Sequence, residues 1–446
     1  MIKTGVGKIP FYWLLVLSIP VASMAFIDKC SGTALAFTMK KIISDPSLIV
    51  FLGSINKIFG VFVAPLAAYY SDVYLRRTGR KPFVIIGMLL LAVSLVIVPT
   101  ADTLWAFIAV LIIYQFSVDF GYTGPWNPLY FDIVPKPQRG RAMVVNRYAS
   151  VAAHLVFMYF LIGRFDNKIY MNIPKKFFMS EFAMGLSGEQ VIYYTGAAAV
   201  FISALIVMFL IRENRTEGSG VKIEKGYFGN MLSLVLFDRR NRMLCLLVIT
   251  SVLMSARLEL LRPLLITEQF GYSKQVMGSI NVYTMFFNLL LVLPVVMYFI
   301  DKVDYFKVYA VCILLSTLHP LVYWLYVRFF AVGGIPSVAV ITGFNIADSI
   351  FDRTAIIALW PLVFNMCDQR HKGLVNSGFL IVSGVVAFVS ANLMGLWVKY
   401  YSNLFSNGTC DYMSAYLYVF MVGIVACCGL WYFAKNKPAE EIASDS

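Results

Sequence analysis

The sequence predicts an all-α membrane protein, with about twelve transmembrane helices in two pseudo-symmetric six-helix bundles. Three observations point there. First, 60% of the 446 residues are hydrophobic and only 14% are charged, against about 45–50% and about 25% in a soluble domain. That much apolar surface cannot be hidden in one water-soluble core, which excludes the soluble, disordered and collagen-like classes. Second, the apolar residues form runs of roughly 20, enough to cross a bilayer as helices, without the alternation of barrel strands. Third, the two halves of the chain repeat each other's motifs.

Charged and Gly/Pro-rich breaks between the apolar runs place the helices at 10–37, 48–71, 82–100, 104–133, 142–163, 191–211, 243–266, 276–300, 305–328, 337–366, 372–401 and 412–434. The Phe11–Phe26 run has no clean small-residue cleavage site, so it reads as the first membrane helix and not as a signal peptide. The longest break starts polar at Arg212, turns apolar over Tyr227–Phe237 and closes with Asp238-Arg-Arg-Asn-Arg242. This pattern suits a linker carrying a short helix in the membrane interface. The expected organisation is an N-terminal bundle at 1–211, a cytoplasmic linker at 212–242, a C-terminal bundle at 243–434 and a short cytoplasmic tail at 435–446.

The net charge of +13 sits in the short loops. With both termini inside, the inner segments hold Arg76, Arg77, Arg80, Lys81, Arg139, Arg141, Arg239, Arg240 and Arg242 among others, more than twice the Lys and Arg of the outer ones. Both termini are therefore expected in the cytoplasm, in a multi-pass protein of a plasma or inner membrane. No basic patch is interleaved with exposed aromatics, so nucleic acid is not an expected partner. The seven cysteines are scattered without a CxxC and read as small buried hydrophobes, neither a disulfide frame nor a metal site. There is no GxxxxGK loop, HExxH or GxSxG, hence no sign of ATP use, a cofactor or enzyme chemistry. Asn407-Gly-Thr409 forms a glycosylation triplet on the expected outer side.

The internal repeat carries the most weight. Pro128-Leu-Tyr-Phe-Asp132 ends the fourth helix and Pro361-Leu-Val-Phe-Asn365 ends the tenth. The displacement that carries Pro128 onto Pro361 also carries Asp119 onto Asp352 and Arg139-Gly140 onto Lys372-Gly373. The second and eighth helices open with Gly53-Ser-Ile-Asn56 and Gly278-Ser-Ile-Asn281. Two matches at equivalent helices, in the right order, describe a duplicated six-helix unit with a pathway where the copies meet.

Two loops carry a family signature. One reads Ser71-Asp72-Val-Tyr-Leu-Arg76-Arg77-Thr-Gly79-Arg80-Lys81-Pro82, and the other Asp132-Ile-Val-Pro135-Lys-Pro-Gln-Arg139-Gly140-Arg141. Both resemble cytoplasmic motifs of the major facilitator superfamily, at their proper helix junctions, and the likeness extends over the twelve-helix layout. The resemblance implies a gate. Asp72 would cap the eleventh helix and Arg80 would reach Asp132, while Arg76, Lys81, Arg139, Gly140 and Arg141 complete the motif. A carboxylate against a helix N-terminus and a charge-assisted Arg pair supply the physics, and Gly79 permits the tight turn. The second-half copy is reduced to Asp301-Lys302-Val-Asp304.

Within that superfamily, the stretch from Arg76 to Gly87 and the Pro125-Trp126 pair resemble the glycoside–pentoside–hexuronide and sucrose transporter group. Trp126 then matches a sugar-stacking Trp of the fourth helix, and Arg147 a sugar-binding Arg of the fifth. Tyr122 stands where that group has an acid. Gly60 and Ala64 stand where it has sodium-site carboxylates, and Lys57 where it has an Arg. The resemblance therefore implies coupling to a proton rather than to sodium.

Ionisable groups in the hydrocarbon zone mark pathways unless paired for structure alone. Here they are Asp119, Asp132, Glu259, Asp348 and Asp352 with Lys57, Arg147, Arg257, Arg262 and Arg353. Asp28 and Lys29 read as lying near the outer end of the first helix, where Lys29 can snorkel, and are left out of the site. Helical spacing sets Asp119, Tyr122, Thr123 and Trp126 on one stripe, Arg147, Ser150 and His154 on another, and Asn345, Asp348 and Asp352 on a third, with Trp360 below. Glu259 and Arg262, one turn apart, read as a local pair. The substrate-binding candidates are Asp119, Tyr122, Trp126, Arg147, Asn345, Asp348 and Asp352. The proton-coupling candidates are Asp119, Asp352 and His154. Carboxylates, an Arg fork and an indole face suit a sugar.

The expected function is secondary active transport of a small polar solute, a sugar or glycoside, by alternating access and as a proton symporter. The chain is expected to act as a monomer, with the solute, the coupling ion and membrane lipid as its partners. Two alternatives stay open at this point: the same fold carrying a lysolipid, drug or organic ion, and a membrane sensor or scaffold that moves nothing.

Overall fold

The computed structural model describes residues 2–3, 9–74, 79–135, 138–173, 182–212, 229, 233, 235–254, 258, 260–292, 304–366, 372–405 and 410–436. Most of the expected linker and tail lie outside the described residues, as do Arg76, Arg257, Glu259, Asp301 and Asn407–Thr409. In chain order the helices are α1 Phe11–Ile42, α2 Pro46–Val73, α3 Lys81–Thr100, α4 Leu104–Thr123, α5 Trp126–Ile133, α6 Arg139–Leu155 and α7 Gly188–Leu210. The second half holds α8 Arg239–Met254, α9 Leu261–Leu264, α10 Lys274–Phe287, α11 Tyr305–Phe329, α12 Val338–Met366, α13 Lys372–Phe405 and α14 Ser414–Lys435. Nine helical stretches among the described residues are long and apolar enough to cross a membrane. The α12 helix falls outside that set because Asp348, Asp352 and Arg353 interrupt its apolar run.

Of the boundaries that differ from the sequence reading, three have a clear local reason. The first helix was expected to end near residue 37, but α1 reaches Ile42. A π-helical turn at Cys30–Ala34 absorbs Ser31-Gly-Thr33 without breaking the rod, and Leu35–Met39 beyond it are buried. The fourth helix was expected to be continuous but is interrupted. Gly124 N–H donates to Asp119 O at 3.2 Å and closes a π turn over Val118–Thr123, while Pro125, which has no N–H to donate, stands as N-cap of α5. The sixth helix starts at Gly188, before residue 191, because Ser187 and Gln190 form a reciprocal capping box.

Two small sheets were not anticipated. Strands β2 (Lys168–Ile173) and β3 (Phe182–Ser187) form an antiparallel hairpin between α6 and α7. Strand β1 (Ile2–Lys3) pairs in parallel with β4 (Ile211–Arg212), tying the start of the chain to the end of α7.

The chain divides into two compact units. The first comprises Met1–Ser44, Phe62–Ile223 and Tyr272–Ser279, and the second Asp45–Val61, Glu224–Gly271 and Ile280–Ser446. In the first, Phe107, Trp126, Phe157, Phe165 and Tyr193 are among the largest fully buried side chains. In the second, the core gathers Leu244, Leu247, Tyr309, Leu359, Val363, Phe379 and Phe433 from five helices. Large apolar side chains such as Val93, Leu290 and Leu393 remain exposed. That is an outward face suited to lipid, not water.

The first Gly of each repeated Gly-Ser-Ile-Asn opening packs within one unit, Gly278 in the first and Gly53 in the second. A Cβ on Gly278 would sit 2.2 Å from the carbonyl oxygen of Met158, so the start of α10 packs directly on the backbone near the end of α6. A Cβ on Gly53 would meet the Leu260 side-chain tip at 2.0 Å. Small residues at such crossings let backbones approach closely. The same regions carry ion pairs. Lys274 Nζ donates to both carboxylate oxygens of Asp166 at 2.6 and 2.7 Å, in the first unit. Lys399 Nζ donates to Asp45 Oδ2 at 2.5 Å, in the second.

Candidate functional site

In the first unit the polar residues of the membrane interior collect around the interrupted α4–α5 segment. Asp119 is 4% exposed, and Gln115, one turn earlier, offers it a long amide contact of 3.5 Å. Tyr122 stacks on Trp126 with ring centroids 6.1 Å apart, and Tyr130 follows at 5.9 Å. The expected single stripe is therefore split by the π turn. Asp119 and Trp126 are buried, Tyr122 is half-buried and Thr123 is exposed. Trp126, at 1% exposure, is flanked by Tyr122 and Tyr130, so a ring stacking on its indole has to displace one of them. On α6, Asn146 is buried, Arg147 exposed and His154 half-buried, and the Ser150 hydroxyl donates to Asn146 O at 2.9 Å.

The sequence reading passed over Asp28. Because α1 runs from Phe11 to Ile42, Asp28 and Lys29 sit in its middle third, not near its end. Asp28 is exposed and within electrostatic reach of both Tyr114 and Tyr122. The missing signal was the length of α1, hidden by the Ser-Gly-Thr stretch.

The second unit brings together α9, α11, α12 and α14. Arg262 Nη2 donates to Asp348 Oδ2 at 2.7 Å, and Tyr416 of α14 also lies in hydrogen-bonding reach of the guanidinium. The half-buried Arg262 thus pairs across helices; the local pair with Glu259 that the sequence suggested lies outside the described residues. His319 of α11 sits beside this pair, its Nε2 3.0 Å from Phe344 O of α12. Tyr323 packs on Phe344 at 4.5 Å and on Tyr416 at 5.0 Å. Asn345 is 7% exposed, and Asp348 and Asp352 are half-buried on the same helix, with Trp360 two turns on. Two buried donors, Arg262 Nε and Asn345 Nδ2, find no acceptor among the described residues. Buried donors left unmatched cost about 1–3 kcal/mol each, so a region holding two is arranged for acceptors that come and go.

The motif loop is described in part. Gly79 takes φ +79°, the left-handed turn for which glycine is suited. Lys81 Nζ donates to Met208 O at 2.5 Å and to Ile211 O at 2.8 Å, capping the carbonyl end of α7. Nothing in the sequence assigned Lys81 that role. Arg80 is half-buried at the start of α3. Asp72, Asp132, Arg139, Gly140 and Arg141 lie on α2, α5 and α6, but their side chains are outside the described residues.

Comparison with known proteins fits this architecture. The sequence model of the Major Facilitator Superfamily matches residues 17–287, more than half of the chain, and the protein belongs to that superfamily. No curated protein sequence matches it significantly. Among solved structures, the nucleoside transporter NupG superposes with a TM-score of 0.71 at 15% identity, covering 94% of this chain and 98% of that one. A POT family transporter in complex with a thioalcohol-conjugated peptide gives 0.68 at 13%, covering 95% and 96%. A D-xylose–proton symporter gives 0.66 at 13%, covering 95% and 98%. At such identities the likeness establishes the fold. The chain is an integral membrane transporter of small solutes, not an enzyme.

Proposed function

We propose that this superfamily member is a secondary active transporter of a small polar solute, a sugar or glycoside, working by alternating access and driven by protons rather than sodium. The observation that carries this reading is the membrane-interior pair Arg262–Asp348 with two buried donors beside it, Arg262 Nε and Asn345 Nδ2, that find no acceptor among the described residues. A sugar hydroxyl both accepts and donates. It can satisfy those donors and return a hydrogen bond to Asp348 or Asp352. In the first unit Asp119, Arg147, Tyr122 and Trp126 offer a carboxylate, a guanidinium and two ring faces. We assign the proton to Asp119, Asp352 or His154. Asp72, Arg76, Gly79, Arg80, Lys81, Asp132, Arg139, Gly140 and Arg141 form the gate.

The bundles 1–211 and 243–434, the linker 212–242, the tail 435–446, cytoplasmic termini, a plasma or inner membrane and a monomeric state belong to the same proposal. The positive-inside count supports the orientation. A thermal-shift screen of purified protein against monosaccharides, glycosides, nucleosides, peptides and lysolipids tests the cargo. A true substrate at a hundredfold excess over Kd stabilises the fold by about 2.7 kcal/mol. Stabilisation by sugars, followed by their uptake into proteoliposomes under an imposed pH gradient, is the expected result. Stabilisation by lysolipids alone, or uptake indifferent to the gradient, sinks the sugar or the proton assignment respectively.

A further inference from the structure

The second unit holds a histidine that the sequence stripes did not select. His319 lies on α11, and Phe344 O, a backbone acceptor, is 3.0 Å from its Nε2. A carbonyl only accepts, so Nε2 carries the hydrogen, and the neutral ring keeps its lone pair on Nδ1. The ring is wedged among Phe344 and Phe351 of α12, with centroids 5.4 and 6.1 Å away, which fixes its orientation. Two charged groups act on it, Asp348 of α12 and Arg262 of α9. Tyr416 of α14 touches Arg262 from the other helix of the cluster, and Asp352 is the next acid along α12.

We propose that His319 is the proton-loading group of the second unit and acts by competing with Arg262 for the Asp348 carboxylate. The inference rests on the proton-coupled reading given above. A proton delivered from water forms an N–H bond at Nδ1 and leaves the ring with one positive charge. Asp348 then faces two cations instead of one. Its hold on Arg262 Nη2 weakens, and the guanidinium, whose Nε has no acceptor among the described residues, turns to a solute oxygen. Loss of the proton returns Arg262 to Asp348 and expels the solute. Loading a proton therefore readies the site for cargo, the order that a symporter requires. Asp119 and His154 lie in the other compact unit.

The test reads protonation directly, so it stands apart from whether a sugar is carried. The chain has three histidines, so 15N-histidine labelling in nanodiscs, with His319→Gln as the assignment variant, isolates the signal. The wild-type ring is expected as the Nε2–H tautomer at high pH and is expected to gain its second proton on acidification. Asp348→Asn should lower its proton affinity about tenfold, and Arg262→Gln should raise it about tenfold. An Nδ1–H tautomer, a ring still neutral at pH 5, or midpoints equal in wild type and both variants overturns the proposal. The wild-type measurement decides even where a charge-removing variant fails to fold. In proteoliposomes, His319→Gln keeps a donor for Phe344 O but cannot load a proton. It should lose both exchange of whichever solute the screen identifies and its gradient-driven accumulation. Accumulation at the wild-type level overturns the assignment, and absence of exchange in the wild type counts against the transport reading alone.

Discussion

The two compact units hold their membrane-interior polar residues in different ways. In the first, aromatic rings cover them: Tyr122, Trp126 and Tyr130 stack in series beside the buried Asp119. In the second, an ion pair from two helices stands beside donors at Arg262 and Asn345 that have no acceptor among the described residues. The first arrangement is closed by packing and changes only if a ring moves. The second is closed by charge and changes with one proton or one ligand. Repeat-related positions, Asp119 and Asp352 among them, have thus come to sit in surroundings of unlike stiffness.

Substitutions can break that comparison. The largest effect is expected at Trp126. Because it is fully buried, Trp126→Ala should cost about 3–5 kcal/mol in unfolding free energy, whereas Trp126→Phe should cost under about 1.5 kcal/mol. If Trp126→Phe keeps stability but loses sugar uptake, the indole face touches cargo; if uptake survives, its role is packing. At the second unit, Asp348→Asn or Arg262→Gln alone should destabilise by about 2 kcal/mol. This lies below the 3–5 kcal/mol of a fully buried pair because the Asp348 side chain keeps 37% exposure. The double neutral variant should recover much of that loss while remaining inactive, as a thermal melt and an uptake assay would reveal together.

The glycine openings provide a finer contrast. Gly278→Ala drives a methyl against backbone and should cost about 1–3 kcal/mol. Gly53→Ala meets the movable tip of Leu260 and should cost less than half of that. Equal melting temperatures would remove this difference between the repeats. The smallest effect is expected at the solvent-exposed Lys399–Asp45 pair, where Lys399→Ala should scarcely shift the melting temperature at neutral pH.

At Asp45 burial pushes the carboxyl up, but hydrogen bonds from Lys399 and Ser47 outweigh it and hold it below the ordinary aspartate range. A depressed carboxylate contributes above its unfolded pKa and loses the contribution as pH falls through the folded one. Stability from Asp45–Lys399 should accordingly be flat from pH 8 to 5 and decline below about pH 4. A drop already at pH 6 would contradict that.

Much of the architecture was legible because bilayer crossing forces long apolar runs, and the runs surrounding α3, α7, α11 and α14 announce themselves. Asp348 and Asn345 were legible for a related reason, as polar groups are conspicuous in an oily segment. What escaped detection depends on partners distant in sequence or on backbone detail. The match of Arg262 to Asp348 spans two helices, and no local spacing encodes it. The π turn at Cys30–Ala34 lets α1 run on to Ile42, which leaves Asp28 in its middle, and the one at Val118–Thr123 shifts the helical register and splits the Asp119–Trp126 stripe. The β2–β3 hairpin is a pairing between strands that the reading had left as loop. Tyr416 gave no signal at all among 26 tyrosines.

The displacement that carries Pro128 onto Pro361 also carries Asp166 onto Lys399. One position of the duplicated unit thus bears opposite signs in its two copies, and each is answered by a partner of matching opposite sign, Lys274 and Asp45. A chain assembled from two first halves would set Asp166 against Asp45, and one from two second halves would set Lys399 against Lys274. Both mispairings repel, and only the mixed one attracts. The two pairs give the halves a polarity, acidic in one and basic in the other, so that neither can substitute for the other.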